Sequence, residues 1–132
     1  MPQRGPCGEV VGAYTEVEER PAVFNGRQVP GVYIRQLLGE DVTPTFAMRV
    51  FRLEPGARIP RHKHPWEHLQ FILEGAGVFT IGDVAYRVKP GYFVYIPPNA
   101  EHEYYNDGEE DLIFLCMVPH KPSVPEDYDP CR

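Results

Sequence analysis

The sequence predicts an all-β fold, a β-sandwich or a β-barrel, and two observations support this prediction. Fifteen prolines and twelve glycines divide the 132 residues, so the longest runs free of both are ten residues, 45–54 and 109–118. Such runs barely reach the mean length of an α-helix, about eleven residues. The segments between these breakers have the apolar patterning of short strands, and closely spaced short strands with few helices are typical of sandwiches and barrels.

The individual segments are strands joined by turns. In VAYRV, residues 84–88, Val84, Tyr86 and Val88 share one face, and the preceding Gly82-Asp83 pair is a two-residue hairpin signal. DLIFLCMV, residues 111–118, is apolar on both faces, as expected for a strand buried between layers. LEPGA, VKPGY and NDGEE supply further turns. Only AYTEVEER, residues 13–20, offers a short helix.

Length and charge restrict the class of protein. A chain of 132 residues is long enough for one domain with one core. The net charge of −6 and the scattered basic residues argue against nucleic acid as a partner. No apolar stretch approaches the length that spans a bilayer, and the start of the chain lacks the apolar core of a signal peptide. The expected partner is therefore a small molecule, with no membrane, and the expected location is the cytoplasm.

Three of the five histidines are close together in RHKHPWEHLQ. On a strand, His62 and His64 would leave the same face, since they are two residues apart. Pro65 and Trp66 bend the chain before His68. The trio is either a three-ligand cap for a transition metal, which binds neutral imidazole readily, or a solvated turn of polar residues.

The wider pattern resembles the two motifs of the cupins, which are small jelly-roll β-barrels. The first motif, G-x5-H-x-H-x3,4-E-x6-G, is matched by Gly56, His62, His64, His68 and Gly75, with His68 in the glutamate position. The second, G-x5-P-x-G-x2-H-x3-N, is matched by Gly91, Pro97, His102 and Asn106, with Asn99 in place of its second glycine. Asparagine is a mild replacement because it tolerates positive φ. The resemblance covers about residues 48–119.

The resemblance implies a single-domain jelly-roll β-barrel of three parts. Residues 1–45 form an N-terminal extension with extra strands, residues 46–119 the barrel core, and residues 120–132 a proline-rich C-terminal arm, loose or wrapped over a neighbour. GVYIRQLLG, residues 31–39, is an extra strand that could pair across a homodimer, the state that is frequent among small cupins. Cys7 and Cys131, near opposite ends of the chain, are either free thiols or one disulfide.

The resemblance also implies a metal site made of His62, His64, His68 and His102. It would hold one divalent transition metal per chain, with manganese or iron favoured as the working ion and zinc, nickel or copper as ions acquired on purification. With histidine in the glutamate position, no carboxylate reduces the charge of the metal. A six-coordinate ion would keep two positions for water, substrate or dioxygen. Metal affinity should fall as the pH drops through about 6.5, because the ligands must be neutral.

Several further residues are candidates for the site, each with a plainer alternative. The candidate catalytic residues are Tyr104, Arg49 and Cys116. Tyr104 is a hydrogen-bond donor or a packed aromatic, and Arg49 binds a substrate carboxylate or is exposed to solvent. Cys116, which shares a strand face with Phe114, is near the metal or is a small buried apolar side chain. Trp66 is packing or a lid, and Glu67 orients a ligand or is exposed. His120 is left without a role.

These features predict a metal-dependent oxidoreductase of dioxygenase type acting on a small organic molecule. The alternative is a non-catalytic module that binds metal or a small molecule, because fold alone does not determine function. A sugar isomerase or epimerase ranks third, since the sequence shows no well-placed base near the metal.

Overall fold

Almost all regular structure in the protein is β-strand, which confirms the predicted all-β class. The computed structural model describes residues 1–131. A single turn of 3-10 helix, Tyr14–Glu16, occupies the segment where a short helix was predicted. The strands are β1 (Gln3–Arg4), β2 (Val10–Val11), β3 (Arg20–Phe24), β4 (Arg27–Leu38), β5 (Phe46–Leu53), β6 (Arg58–His62), β7 (His68–Glu74), β8 (Gly77–Ile81), β9 (Val84–Val88), β10 (Phe93–Ile96), β11 (His102–Tyr105) and β12 (Leu112–Pro119).

Two antiparallel sheets face each other as a jelly-roll sandwich. The larger has six strands in the order β10-β7-β12-β5-β4-β3, and the smaller has four in the order β6-β11-β8-β9. Side chains from both sheets meet in one apolar core, including the fully buried Phe79 of the smaller sheet and Phe114 of the larger, whose ring centroids are 5.1 Å apart. β1 and β2 form a separate two-stranded pair.

β12 illustrates why apolar runs become central strands here. Its residues Leu112, Phe114, Cys116 and Val118 are buried toward the core, and the residues between them are half-buried on the other face. Successive side chains of a strand point to opposite faces. β12 is hydrogen bonded on both edges, to β5 and β7. The predicted two-sided burial of this segment therefore follows from its place inside the larger sheet.

The predicted hairpin at Gly82-Asp83 joins β8 and β9, and Gly82 has a φ of +59°. Of the shared face of VAYRV, only Val88 is buried, whereas Val84 and Tyr86 are each 51% exposed. β9 is the edge strand of the smaller sheet, and all of its residues except Val88 are exposed.

The segment GVYIRQLLG is an extra strand as predicted, but it lies inside the sheet. It belongs to β4, which is hydrogen bonded to β3 over Arg27–Ile34 and to β5 over Val32–Leu38. Both edges of β4 are paired only over residues 32–34, and among the described strands residues 35–38 pair with β5 alone. An ion pair between Glu19 of the N-terminal extension and Arg52 of β5 (2.7 Å) adds to these strand contacts. Arg52 also forms an ion pair with Asp111 (3.1 Å).

The C-terminal arm is hydrogen bonded to its own chain. The backbone N–H of Ser123 donates to the carbonyl of Pro65 at 2.8 Å. The side-chain amide of Asn99 donates to three carbonyls of the arm, those of Pro125 (3.0 Å), Glu126 (3.0 Å) and Tyr128 (2.9 Å). Arg132, the last residue of the predicted arm, lies outside the described residues.

Two motif positions have the backbone conformation that their residue types suggest. Asn99 has a φ of 64°, as its replacement of a glycine predicts. Gly75 has a φ of +74°, and a Cβ there would lie 2.1 Å from the carbonyl oxygen of Asp111.

All three cysteines are free thiols, with Cys7 and Cys131 exposed and Cys116 buried. Among residues 1–131, no helix combines the length and the apolar character needed to cross a bilayer.

Candidate metal centre

Four histidines meet where strands of both sheets begin or end at one end of the sandwich. His62 is the last residue of β6, His68 the first of β7 and His102 the first of β11, whereas His64 lies in the loop between β6 and β7. His62 and His102 are register partners across the β6–β11 pair. One nitrogen from each of the four rings lies within 4.8 Å of all the others.

Contrary to the prediction from the sequence, His64 does not reach the site from the same strand as His62. β6 ends at His62, so the two histidines do not leave one face of a common strand. His64 is instead held by the bent Pro65–Trp66 segment. The Trp66 ring is stacked on its imidazole with centroids 4.2 Å apart and planes 5° from parallel. Trp66 is thus both packing for a ligand and part of the cavity wall described below.

Three of the rings are oriented by backbone carbonyls. The Nδ1 atoms donate to carbonyl oxygens two residues away, from His62 to Pro60 (2.7 Å), from His64 to Trp66 (2.9 Å) and from His102 to Ala100 (2.8 Å). A carbonyl only accepts hydrogen bonds, so each Nδ1 carries the proton and each neutral ring presents its lone pair at Nε2. Such partners orient the ring and fix the tautomer in metal sites.

His68 is positioned by sulfur instead. Its Nδ1 is 3.0 Å from the Sγ of Cys116, and its Nε2 is 2.8 Å from the Nε2 of His64. A thiol is a weak donor and a weak acceptor. With no metal, the thiol can donate to Nδ1 while Nε2–H donates to His64. If a metal were bound at Nε2, the ring proton would be on Nδ1 and would donate a hydrogen bond to the sulfur. The same Nδ1–Sγ contact would therefore be present in the metal-free and the metal-bound forms.

Burial keeps these imidazoles neutral. Desolvation is the largest cause in each case, and it lowers the pKa of His64 to about 4 and that of His102 to about 3. It also lowers the pKa of His62, and it holds the pKa of His68 well below its usual value. Neutral imidazole is the form that binds a transition metal.

The residues present fit a single transition-metal ion. His102 Nε2 is buried and has no hydrogen-bond partner among residues 1–131. It is an unsatisfied acceptor that faces three other imidazoles, and a cation at the common centre would satisfy it. An all-nitrogen donor set suits manganese, iron, nickel, copper or zinc rather than calcium or magnesium, which prefer oxygen ligands.

A cavity of about 180 Å³ adjoins the histidines. It is lined by Phe24, Arg49, Phe51, Ile59, His62, His64, Trp66, His68 and Tyr104. A wider cleft of about 630 Å³ shares Phe24, His62, His64 and Trp66 with this cavity, and it opens to the surface past Arg27, Arg61 and Lys63. We refer to the two as the inner cavity and the outer cleft.

Two of the three candidate catalytic residues line the inner cavity. Arg49 points inward and stacks on Phe51, with its guanidinium carbon 5.2 Å from the ring centroid. Tyr104 is 4% exposed, and its hydroxyl accepts a hydrogen bond from Gln70 Nε2 at 2.8 Å. Burial raises the pKa of the Tyr104 phenol, which therefore stays protonated and can donate.

Cys116 lies behind His68 and is absent from the residues that line the inner cavity. Its neighbour on the same face of β12, Phe114, packs in the core.

Gln70 is a site residue that sequence reasoning missed. It connects Tyr104 (2.8 Å) with Cys116 (3.7 Å) through its amide nitrogen. Its spacing of two from His68 on a strand was the available signal, since both must point inward.

The remaining candidates lie outside the cavity. Glu67 accepts a hydrogen bond from the Ser123 hydroxyl of the C-terminal arm rather than from a ligand ring. The ring of His120 contacts the side chain of Thr43 at 2.9 Å, next to the start of β5. The arm therefore contacts the loop of His64 through Pro65, and the loop before His102 through Asn99.

Comparison with known proteins gives the same family. The curated relatives include 1-methylthio-D-xylulose 5-phosphate methylsulfurylase of Rhodospirillum rubrum, 33% identical over 98 residues, which are 72% of this chain and 63% of that enzyme. They also include gentisate 1,2 dioxygenase 1 of Aquipseudomonas alcaligenes, 34% identical over 62 residues, 46% of this chain and 18% of that enzyme. The chain thus spans less than two thirds of the length of either enzyme, and the two named activities differ.

Among solved structures, the polyketide cyclase RemF from Streptomyces resistomycificus superposes with a TM-score of 0.75 at 23% identity, covering 86% of this chain and 80% of RemF. That likeness is one of fold. The family described as the cupin domain matches residues 49–118, more than half of the chain. These residues include all four histidines of the site, and the chain belongs to the cupin superfamily.

Proposed function

We propose that this cupin is a metal-dependent oxidoreductase of dioxygenase type that acts on a small organic molecule in the inner cavity. The observation that supports this proposal is a set of four neutral imidazoles, three of which line a small, largely apolar cavity that no carboxylate lines among residues 1–131. A manganese or iron ion held by His62, His64, His68 and His102 would supply Lewis acidity and one-electron chemistry with dioxygen.

The walls of the inner cavity have a separate role, which is to exclude water. Phe24, Phe51 and Ile59 supply most of the apolar surface, and Trp66 lies between the inner cavity and the outer cleft. A dry cavity strengthens electrostatic interactions and protects reactive species from hydrolysis. Within it, the protonated hydroxyl of Tyr104 can donate a hydrogen bond to a substrate oxygen, because its own lone pair already accepts from Gln70.

The same lining disfavours an isomerase or epimerase. Those reactions need a general base beside the metal, within hydrogen-bond reach of the substrate proton. None of the described residues that line the inner cavity is Asp or Glu, and the four histidines are occupied as metal ligands. Tyr104 is held protonated by burial and is a poor base at neutral pH.

The test is oxygen consumption by the manganese- or iron-loaded protein with a panel of small enols, phenols and alkenes. The matched control is His102→Ala loaded under the same conditions, because the substitution removes one ligand. Oxygen uptake by the wild type that is lost in the variant supports the proposal. Ligand binding with no turnover in oxygen-rich buffer would instead identify a non-catalytic binding module, and a metal-dependent change of sugar composition would identify an isomerase.

We further propose that the chain is a homodimer that buries the outer face of β7 and β10. Leu69, Phe71, Phe93 and Tyr95 are register neighbours on this face, and they are 43%, 44%, 82% and 55% exposed. A contiguous apolar patch of this kind is typical of an association surface. Light scattering should give the mass of two chains for the wild type and of one chain for Phe93→Asp. A monomeric wild type would contradict the proposal.

A further inference from the structure

We propose that the substrate of this centre is a small carboxylate with a flat apolar body, and that Arg49 binds the carboxylate beside the metal ligands. The inference rests on the proposed function in one respect, namely that the inner cavity is where the substrate binds. It adds the chemical class of the substrate and a specificity-determining residue.

Arg49 has no protein anion to neutralise it. None of the ion pairs among residues 1–131 includes Arg49, and its Nε is buried with no hydrogen-bond partner. The thiol of Cys116, a weak acceptor, lies near its side chain, and its guanidinium carbon lies over the Phe51 ring. Arg49 as a whole is half-buried, but a guanidinium nitrogen that is removed from water without a partner costs free energy unless an acceptor pairs with it.

Protein carboxylates are also lacking in the lining of the inner cavity and the outer cleft. The chain carries nineteen acidic residues and a net charge of −6. Among the described residues, no Asp or Glu lines either the inner cavity or the outer cleft. With the carboxylate ligand of the family motif replaced by His68, the ligand shell contributes no negative charge either. Glu40 lines a third pocket that Arg49 and Trp66 also border, outside the inner cavity. Within the inner cavity, an incoming anion would therefore meet attraction from Arg49 and from a bound divalent metal.

The approach to the cavity is also cationic. Arg27, Arg61 and Lys63 line the outer cleft. Arg61 is neutralised by Glu101 at 2.6 Å, but Arg27 and Lys63 have no ion-pair partner among residues 1–131. Uncompensated cations at the mouth of a cleft raise the local concentration of an anionic ligand and speed its association.

Shape and chemistry of the walls specify the rest of the ligand. Phe24, Phe51 and Trp66 offer ring faces, and Ile59 closes the cavity. Tyr104 adds one hydrogen-bond donor. A volume of about 180 Å³ accommodates a small molecule only. Guanidinium and carboxylate match in shape as well as in charge, so a flat apolar acid satisfies both the walls and Arg49.

The test measures binding, separately from oxygen chemistry. Trp66 is the single tryptophan of the chain and lines the inner cavity, so its fluorescence reports occupancy. The zinc-loaded protein is titrated in oxygen-free buffer with benzoate and with benzamide, its neutral counterpart of nearly the same shape. The expected result is tighter binding of benzoate by about 10- to 100-fold, the range of a charge-assisted hydrogen bond.

Variants then locate the origin of this preference. Arg49→Gln should reduce the preference for benzoate by about tenfold, because a neutral amide loses the charge-assisted bond while the zinc ion still attracts the carboxylate. Arg49→Lys should retain part of the preference, since it keeps the charge without the planar guanidinium. Arg58→Gln is the matched control, since Arg58 lies on Tyr105 outside the cavity, and it should behave as the wild type. Circular dichroism and a thermal melt confirm folding of each variant.

Two outcomes would overturn the inference. One is equal binding of benzoate and benzamide by the wild type, and the other is a benzoate preference in folded Arg49→Gln that stays within about threefold of the wild-type preference. Since zinc does not support oxidation chemistry and the buffer lacks oxygen, neither outcome depends on turnover. An Arg49-dependent preference for benzoate together with no oxygen uptake would support the inference and refute the oxidoreductase proposal.

Discussion

Replacing Cys116 by alanine tests whether the sulfur behind His68 orients a metal ligand. The substitution removes the partner of His68 Nδ1, which lies 3.0 Å from Sγ. Cys116 is fully buried, and the amide nitrogen that contacts its sulfur, Gln70 Nε2 at 3.7 Å, donates and cannot accept. In the metal-bound form the Nδ1 proton is left without an acceptor.

Loss of such an outer partner weakens metal affinity by about 10- to 100-fold, which is about 1.4 to 2.8 kcal/mol. The assay is competition for zinc with a chelator of known affinity at neutral pH, comparing wild type, Cys116→Ala and Cys116→Ser. The serine hydroxyl can still accept, so its loss should be smaller than that of alanine. Melts of the metal-free proteins identify any change due to packing. A folded Cys116→Ala with an affinity within about threefold of the wild type would refute the reasoning.

The remaining predictions concern stability. Metal at 100 times its dissociation constant should stabilise the wild type by about 2.7 kcal/mol, or about 10 °C in Tm, and His102→Ala should lose this shift. Asn106→Ala leaves the carbonyls of Leu53 and Glu110 and the N–H of Gly108 without their partner, so we expect a loss of about 3 kcal/mol and about 11 °C in a thermal melt. The metal-free protein should lose stability as the pH falls below about 6.5 toward 4, measured by urea unfolding at several pH values.

The sign of this pH dependence follows from the depressed pKa values. Burial lowers the pKa of His64 to about 4 and that of His102 to about 3 in the folded chain, against about 6.5 for an imidazole in the unfolded chain. Below 6.5 the unfolded chain therefore binds more protons, and the folded state loses stability until the folded groups titrate as well. Protons should compete with metal at the folded site only near these lower values, rather than at about 6.5 as the sequence suggested. Constant stability from neutral pH to pH 4 would contradict the assignment.

Control variants distinguish loss of the metal site from a general loss of stability. His120→Ala removes a histidine outside the metal centre, bonded to Thr43, and should keep the full metal-dependent rise in Tm. A metal shift in His102→Ala equal to that of the wild type would show that His102 is not a ligand. For Asn106→Ala, a fall in Tm of less than about 4 °C would mean that the three freed backbone groups find other partners.

Some features were readable from sequence because their signals are local. Proline and glycine spacing excluded long helices, Gly82-Asp83 marked a hairpin, and Asn99 in a glycine position marked positive φ. The four histidines were recognised through motif spacing, which preserves the register of strands that bring them together. The direction of Arg49 was undecided, since Val50 and Phe51 are both buried and β5 is apolar on both faces.

From the sequence alone we could therefore predict the all-β class, the turns and the set of histidines, since these depend on neighbouring residues or on spacing along one motif. The packing of the two sheets determines three further features: Arg49 enters the cavity with no ion-pair partner among the described residues, Cys116 contacts His68, and the C-terminal arm contacts the loop before His102 through Asn99. Each of these contacts joins residues far apart in sequence. They form only when the two sheets pack, because burial and packing, not local propensity, select the partners of such residues.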